Sequence, residues 1–198
     1  MIKIFLDSCA FDWFYRKDIY QELPQKYCQL FITSEVTYEL NYAQDTLERK
    51  EKTIYNHRII KEYPIKVFKP FGLLSKNSID ERKHLIPSND IAHYGGFGEG
   101  YFVQKSVRDF LNSECAKRHR TLSEERKNGG KLRPSGLRLR QSDITLAALS
   151  TVNIVLTADD GSILKEARKE LKHKIVLLKE VENSGLTVYD YILANFTI

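Results

Sequence analysis

The stretch from Ser142 to Leu164, SDITLAALSTVNIVLTADDGSIL, limits the possible fold more than any other part of the chain. Ser142 is a favourable N-cap, and Ile144, Leu146, Ala147, Ala148 and Leu149 form an apolar helix whose small residues allow close packing on a sheet. Val152 to Leu156 is then almost unbroken in apolar character, as a strand buried on both faces of a parallel sheet is, and it stops at Thr157-Ala158-Asp159-Asp160-Gly161. Helix, buried strand and helix in so short a span point to an α/β fold. They place Asp143 at a helix start and Asp159 just past a strand. In open α/β sheets, ligands bind beyond the carboxyl ends of the strands, so Asp159 falls where chemistry is usually done.

Four further runs read as strands. Ile2 to Leu6 ends at Asp7-Ser8 and feeds a helix with aromatic residues at helical spacing. Leu30 to Thr33 is followed by a long helical pattern that Ser34 can cap and Pro64 closes. Ile65 to Phe68 and Lys174 to Leu178 complete the set, ahead of a tail that ends in a short helix. Capping alone would explain Asp7, and Asp12 reads as a solvated side chain. Glu35 and Glu39 lie one turn apart on one helix face. The helix dipole accounts for Glu35, but Glu39 has no such local reason. Residues 75 to 100 carry loop punctuation, and the run GGFGEG at Gly95 to Gly100 neither follows a strand nor fits GxGxxG, which argues against a dinucleotide site. Glu99 precedes a helix expected over Tyr101 to Ala116 and suits its dipole.

At 198 residues and 42% hydrophobic, the chain suits a single domain with an elaboration at about 75–141. Its three cysteines are scattered, with no CxxC, and its five histidines lack the HxxxH type of spacing, so each histidine reads as an ordinary surface or loop residue. No apolar run approaches a membrane span, and MIKIFLD turns acidic too soon for a signal peptide, so the expectation is a soluble, cytoplasmic protein without a membrane partner. Charge is unevenly placed. Between Val103 and Arg140, eleven cations face four carboxylates, a net +7 against +5 for the whole chain. The segment NGGKLRPSGLRLR reads as a basic loop just before Asp143, and Lys131, Arg133, Arg138 and Arg140 are candidates for holding a phosphate backbone.

Asp7, Glu39, Asp143 and Asp159 could share one edge of a doubly wound sheet. Four carboxylates in one pocket repel unless a cation neutralises them, and an all-oxygen set suits Mg²⁺ or Mn²⁺. Such an ion activates water and offsets charge on a leaving oxygen, which is most useful in phosphodiester hydrolysis. In this order the motifs IFLDSCAF, ITSEVTYEL, SDITLAAL and IVLTADDGSIL resemble those of the PIN-domain family, metal-dependent ribonucleases that include toxins of bacterial toxin-antitoxin pairs. The resemblance implies a three-layer α/β/α fold with a central, mostly parallel sheet. It implies an endoribonuclease in which Asp7, Glu39, Asp143 and Asp159 bind one or two Mg²⁺ or Mn²⁺ ions, with Asp160 assisting and Ser8 and Thr157 lining the pocket. RNA is the implied substrate, with an antitoxin protein and a second copy of the chain as possible partners. Compact toxins of that family are shorter, so the basic elaboration sets this chain apart. The alternatives are a catalytically idle PIN-like module that binds RNA or protein, and a phosphotransfer enzyme on a related fold. Against the latter, Asp7-Ser8-Cys9 lacks the DxD of a phosphoaspartate mechanism.

Overall fold

The apolar runs become the strands of one parallel sheet in the computed structural model, which describes residues 1–17, 27–41, 47–68, 104–125 and 141–196. The strands are β1 (Ile2–Leu6), β2 (Cys28–Thr33), β3 (Lys66–Phe68), β4 (Ile154–Thr157) and β5 (Ile175–Leu177), in the order β3-β2-β1-β4-β5. Every pairing is parallel; Phe5 lies opposite Phe31 on one side and Val155 on the other, and Leu156 lies between Leu6 and Val176. All positions of β4 and β5 are buried, which is why their sequences show no polar alternation.

The helices among the described residues are α1 (Ser8–Lys17), α2 (Ser34–Asn41), α3 (Leu47–Glu62), α4 (Lys105–Leu111), α5 (Glu114–Glu125), α6 (Gln141–Leu149), α7 (Ser162–Lys169), α8 (Leu178–Ser184) and α9 (Val188–Asn195). From β1 the chain steps through α1, α2 and α3 towards β3, whereas α7 steps from β4 to β5 in the opposite direction. Right-handed crossovers therefore put these two groups on opposite faces of the sheet. α1 packs on α3, while α6 packs on α4 and α7. The architecture is the α/β type expected, consistent with three layers.

Phe5 lies at the heart of the core. Its ring stacks on Phe31 with centroids 5.2 Å apart and meets Phe68 edge-on, also at 5.2 Å, so one aromatic layer runs across β1, β2 and β3. α6 is buried along nearly its whole length, from Ser142 and Ile144 to Leu149, and the small Ala147 and Ala148 allow that close approach.

Several boundaries differ from the sequence-based expectations, each for a local reason. The long pattern after Ser34 forms two helices, and α2 is capped by the buried Thr33 rather than Ser34, its hydroxyl accepting the Val36 N–H at 3.3 Å. The expected helix to Ala116 breaks at Asn112-Ser113. There the Ser113 hydroxyl donates to the Phe110 carbonyl (2.6 Å) and accepts the Ala116 N–H (3.3 Å), closing α4 and opening α5. β4 starts only at Ile154 because Val152 and Asn153 return their N–H groups to the Leu149 carbonyl at the end of α6. Leu178 opens a helix instead of closing β5, and the tail holds two helices, the first ending at Gly185 with φ +68°. The run Gly95 to Gly100, Glu99 and the basic loop lie outside the described residues. Among the described residues, no helix is long and apolar enough to cross a membrane.

Phe5→Ala should lower the unfolding free energy by about 3–5 kcal/mol, because neither Phe31 nor Phe68 can follow the retreating side chain without leaving its strand. In urea titrations that compare both variants with wild type, Val67→Ala, at a 37% exposed position of β3, should stay within about 0.5 kcal/mol of wild type.

Candidate functional site

The carboxyl ends of β1 and β4 lie side by side, and the chain leaves them in opposite directions. A crevice opens at such a switch point. Asp7 is the first residue past β1, and its N–H continues the ladder to the Leu156 carbonyl at 3.1 Å. Its side chain does not cap α1 in the expected manner. The Asp7 backbone carbonyl takes the Ala10 N–H, while the carboxylate, in a residue only 3% exposed, turns towards β4. Oδ1 accepts the Ser8 N–H at 2.7 Å, and Oδ2 accepts the Thr157 hydroxyl at 2.7 Å and the Cys9 thiol at 2.8 Å. Among the described residues no lysine or arginine pairs with it. Burial, reinforced by the charge on Asp7, pushes the Cys9 thiol far above the usual range and keeps it a donor. Thr157 in turn accepts the Asp159 N–H at 3.0 Å, so one hydroxyl links the ends of both central strands.

Glu39 lies in the second turn of α2. Its Oε2 accepts the Ser8 hydroxyl and its Oε1 the Ser142 hydroxyl, both at 2.7 Å, so this carboxylate joins α1, α2 and α6. Ser142, expected as an N-cap, lies inside α6 and spends its hydroxyl on this contact. One turn before Glu39, Glu35 is 4% exposed and receives the Thr145 hydroxyl at 3.3 Å and that of Ser34 at 3.3 Å. The helix dipole alone therefore does not account for Glu35. Its four-residue spacing from Glu39, matched by Ser142 and Thr145 three apart on α6, was the available signal. Asp143 is half-buried in the first turn of α6.

Asp159 and Asp160 are both exposed and face different partners. Asp160 lies 4.0 Å from both Arg168 and Lys169 on α7. The Asp159 carboxylate folds back over residue 161, where a Cβ would lie 2.8 Å from Oδ2, so glycine leaves it room. Asp12, expected to be solvated, forms an ion pair with Lys52. Lys131, Arg133, Arg138 and Arg140 lie outside the described residues.

Of the expected ligands, the structure joins Asp7 to Glu39 through Ser8 and brings the Asp159 backbone to Asp7 through Thr157. It does not gather three of the four carboxylates into one coordination sphere. Among the described residues, the only three potential ligands with atoms all within 4.8 Å of one another are Cys115, His119 and Glu166. Like-charged carboxylates spread apart when each finds hydroxyl or amide donors of its own. The N-terminal turns of α1, α2, α6 and α7 all lie at this edge, and their partial positive charges offset part of the repulsion.

The second cluster joins α5 to α7. His119, expected on the surface, is 4% exposed, and its Nε2 lies 3.1 Å from Glu166 Oε2. Arg118 donates to Glu166 Oε1 at 2.5 Å. Burial would raise the Glu166 carboxyl, but hydrogen bonds from His119, Cys115 and Arg118 hold it down at about 2. Burial first, then Glu166, pushes the Cys115 thiol up to about 11. Cys115 and His119 stand four apart on one helix, a mixed spacing that a search for paired histidines passes over.

No protein-family model matches this chain, and no curated protein matches it. The chemistry of the two clusters therefore carries the functional reading.

Thr157→Val keeps the shape of the side chain but strips a donor from buried Asp7 and an acceptor from the Asp159 N–H. It should cost about 1–3 kcal/mol in chemical denaturation at neutral pH, whereas Thr157→Ser, which keeps the hydroxyl, should cost less. Glu166 has a folded pKa below its ordinary 4.5, so its stabilisation is complete above 4.5 and is lost as pH falls towards about 2. Across that window, wild-type stability should fall more steeply than that of Glu166→Gln.

Proposed function

We propose that the chain is a Mg²⁺- or Mn²⁺-dependent endoribonuclease of the PIN type that cuts RNA with a water activated at the β1/β4 edge. The observation that carries this reading is Asp7, a carboxylate buried at the switch point of a parallel sheet and held by hydroxyl, thiol and amide donors. Among the described residues no lysine or arginine pairs with Asp7, and a buried carboxylate so placed is suited to a hard cation.

The donors fit such an ion in kind. Asp7, Glu39, Asp143 and Asp159 offer only oxygen, and the surrounding hydroxyls of Ser8, Ser142 and Thr157 can rotate to give up their bonds. When bound, a divalent cation supplies a water of lowered pKa and offsets charge on the leaving oxygen. The residues of the chain do the rest. Thr157 fixes the rotamer of Asp7, Ser8 and Ser142 hold Glu39 over the same edge, and Gly161 makes room for the Asp159 carboxylate that lies over it. Asp160, drawn towards Arg168 and Lys169, has the weaker claim to a ligand role. The basic segment that includes Lys131, Arg133, Arg138 and Arg140 would hold the RNA backbone. A toxin role, with an antitoxin protein as partner, belongs to the same proposal, as do a second copy of the chain as partner and a cytoplasmic location.

A second reading, an idle module that binds RNA or protein, draws on one observation: both oxygens of Asp7 and of Glu39 already have donors from the chain.

Incubation of a mixed single-stranded and structured RNA pool with Mg²⁺, Mn²⁺ or EDTA separates the two. Metal-dependent cutting that Asp7→Asn, Asp143→Asn or Asp159→Asn abolishes, with folding intact by circular dichroism, is the expected result. RNA binding without cutting would favour the idle module. Neutralising Arg133, Arg138 and Arg140 together should reduce the slope of log affinity against log salt by about 2 for single-stranded RNA, at about 0.7 per phosphate contact. An unchanged slope would remove the loop from the interface.

A further inference from the structure

We propose that Cys115, His119 and Glu166 form a zinc-binding site that clamps α5 to α7. The site is separate from the carboxylate edge and does not depend on the nuclease reading. Sγ, an imidazole nitrogen and a carboxylate oxygen from the three residues lie within 4.8 Å of one another, with His119 Nε2 and Glu166 Oε2 3.1 Å apart. A tetrahedral zinc ion, with bonds of about 2.0–2.3 Å, spaces its ligand atoms about 3.5 Å apart, so the side chains need only a small closure.

The donor set chooses the metal. One sulfur, one imidazole nitrogen and one oxygen suit a borderline cation such as Zn²⁺ and are poorly matched to Mg²⁺, which prefers oxygen alone. The fold supplies the geometry. Cys115 and His119, four apart on α5, face α7, where Glu166 lies one turn past the helix start. Arg118 engages Glu166 Oε1, which leaves Oε2 turned towards His119 and fixes the carboxylate plane, as outer partners do in metal sites. Without metal, Cys115 keeps its proton and shares it with Glu166. On binding, the S–H bond is replaced by S–Zn and the proton passes to solvent, so each ion taken up releases one proton from Cys115. Water completes the fourth position. α7 starts just after Asp159 and Asp160, so the clamp ties the first turns of α5 to the helix that follows β4.

The test is a Co²⁺ titration of the full chain, freed of metal beforehand, with absorption and thermal unfolding as readouts. A thiolate-to-cobalt charge-transfer band saturating at one equivalent, displaced by Zn²⁺, is expected. It should vanish in Cys115→Ser, weaken in Glu166→Gln and persist in Cys9→Ser and in Asp7→Asn. Zn²⁺ should raise the unfolding temperature of wild type, and its affinity should fall about tenfold or more in Cys115→Ser and in His119→Gln. Absence of the band in folded wild type would overturn the site, as would a band that survives Cys115→Ser or is lost in Cys9→Ser. Asp7→Asn that abolishes RNA cutting while keeping the band would separate this site from the nuclease reading.

Discussion

A carboxylate buried at the end of the central strand has to be satisfied from several directions at once, and much of the structure answers that requirement. Asp7 takes one hydrogen bond from the start of its own helix, one from the Cys9 thiol and one from Thr157 on the neighbouring strand. The last of these fixes how β1 and β4 end relative to each other, because the Thr157 hydroxyl also takes the N–H of Asp159. Unmade, such bonds would leave a charge in a low-dielectric setting, at a cost that exceeds the modest worth of any single one of them.

The acidic edge stays folded through two kinds of compensation. Hydroxyls from α1 and α6 hold Glu39, and hydroxyls from Thr145 and Ser34 reach Glu35, so the carboxylates of α2 brace helix against helix. The N-terminal turns of four helices converge on the same edge and lend it partial positive charge. Asp7, for its part, is held by hydroxyl, thiol and amide donors and has no lysine or arginine partner among the described residues.

Sequence alone revealed the sheet well, because β4 and β5 are buried on both faces and their apolar runs have no competing explanation. Boundaries were harder. Ser113, Thr33 and Asn153 decide where elements stop through side-chain or turn hydrogen bonds that leave no trace in hydrophobic periodicity. Of the acidic set, Asp7 and Asp159 were legible by their position after strands. Glu35 was not, since a glutamate in a first helical turn has an ordinary reason to be there, and its burial depends on Thr145, 110 residues away along the chain. His119 was missed for a similar reason: what buries it is α7, a helix distant in sequence.

The pairing of β1 with β4 also has a bearing on the order of events in synthesis. β1 is made before the other strands of the sheet among the described residues, yet it lies in the middle of that sheet, and one of its edges has no partner until the chain has been extended by about 150 residues. Closing so large a loop is slow compared with the local pairing of β1 and β2. During that interval the strand presents a row of unpaired backbone groups to its surroundings. The same delay leaves the Asp7 carboxylate without the Thr157 hydroxyl, so the order in which the two strands are made also sets when that buried charge is satisfied.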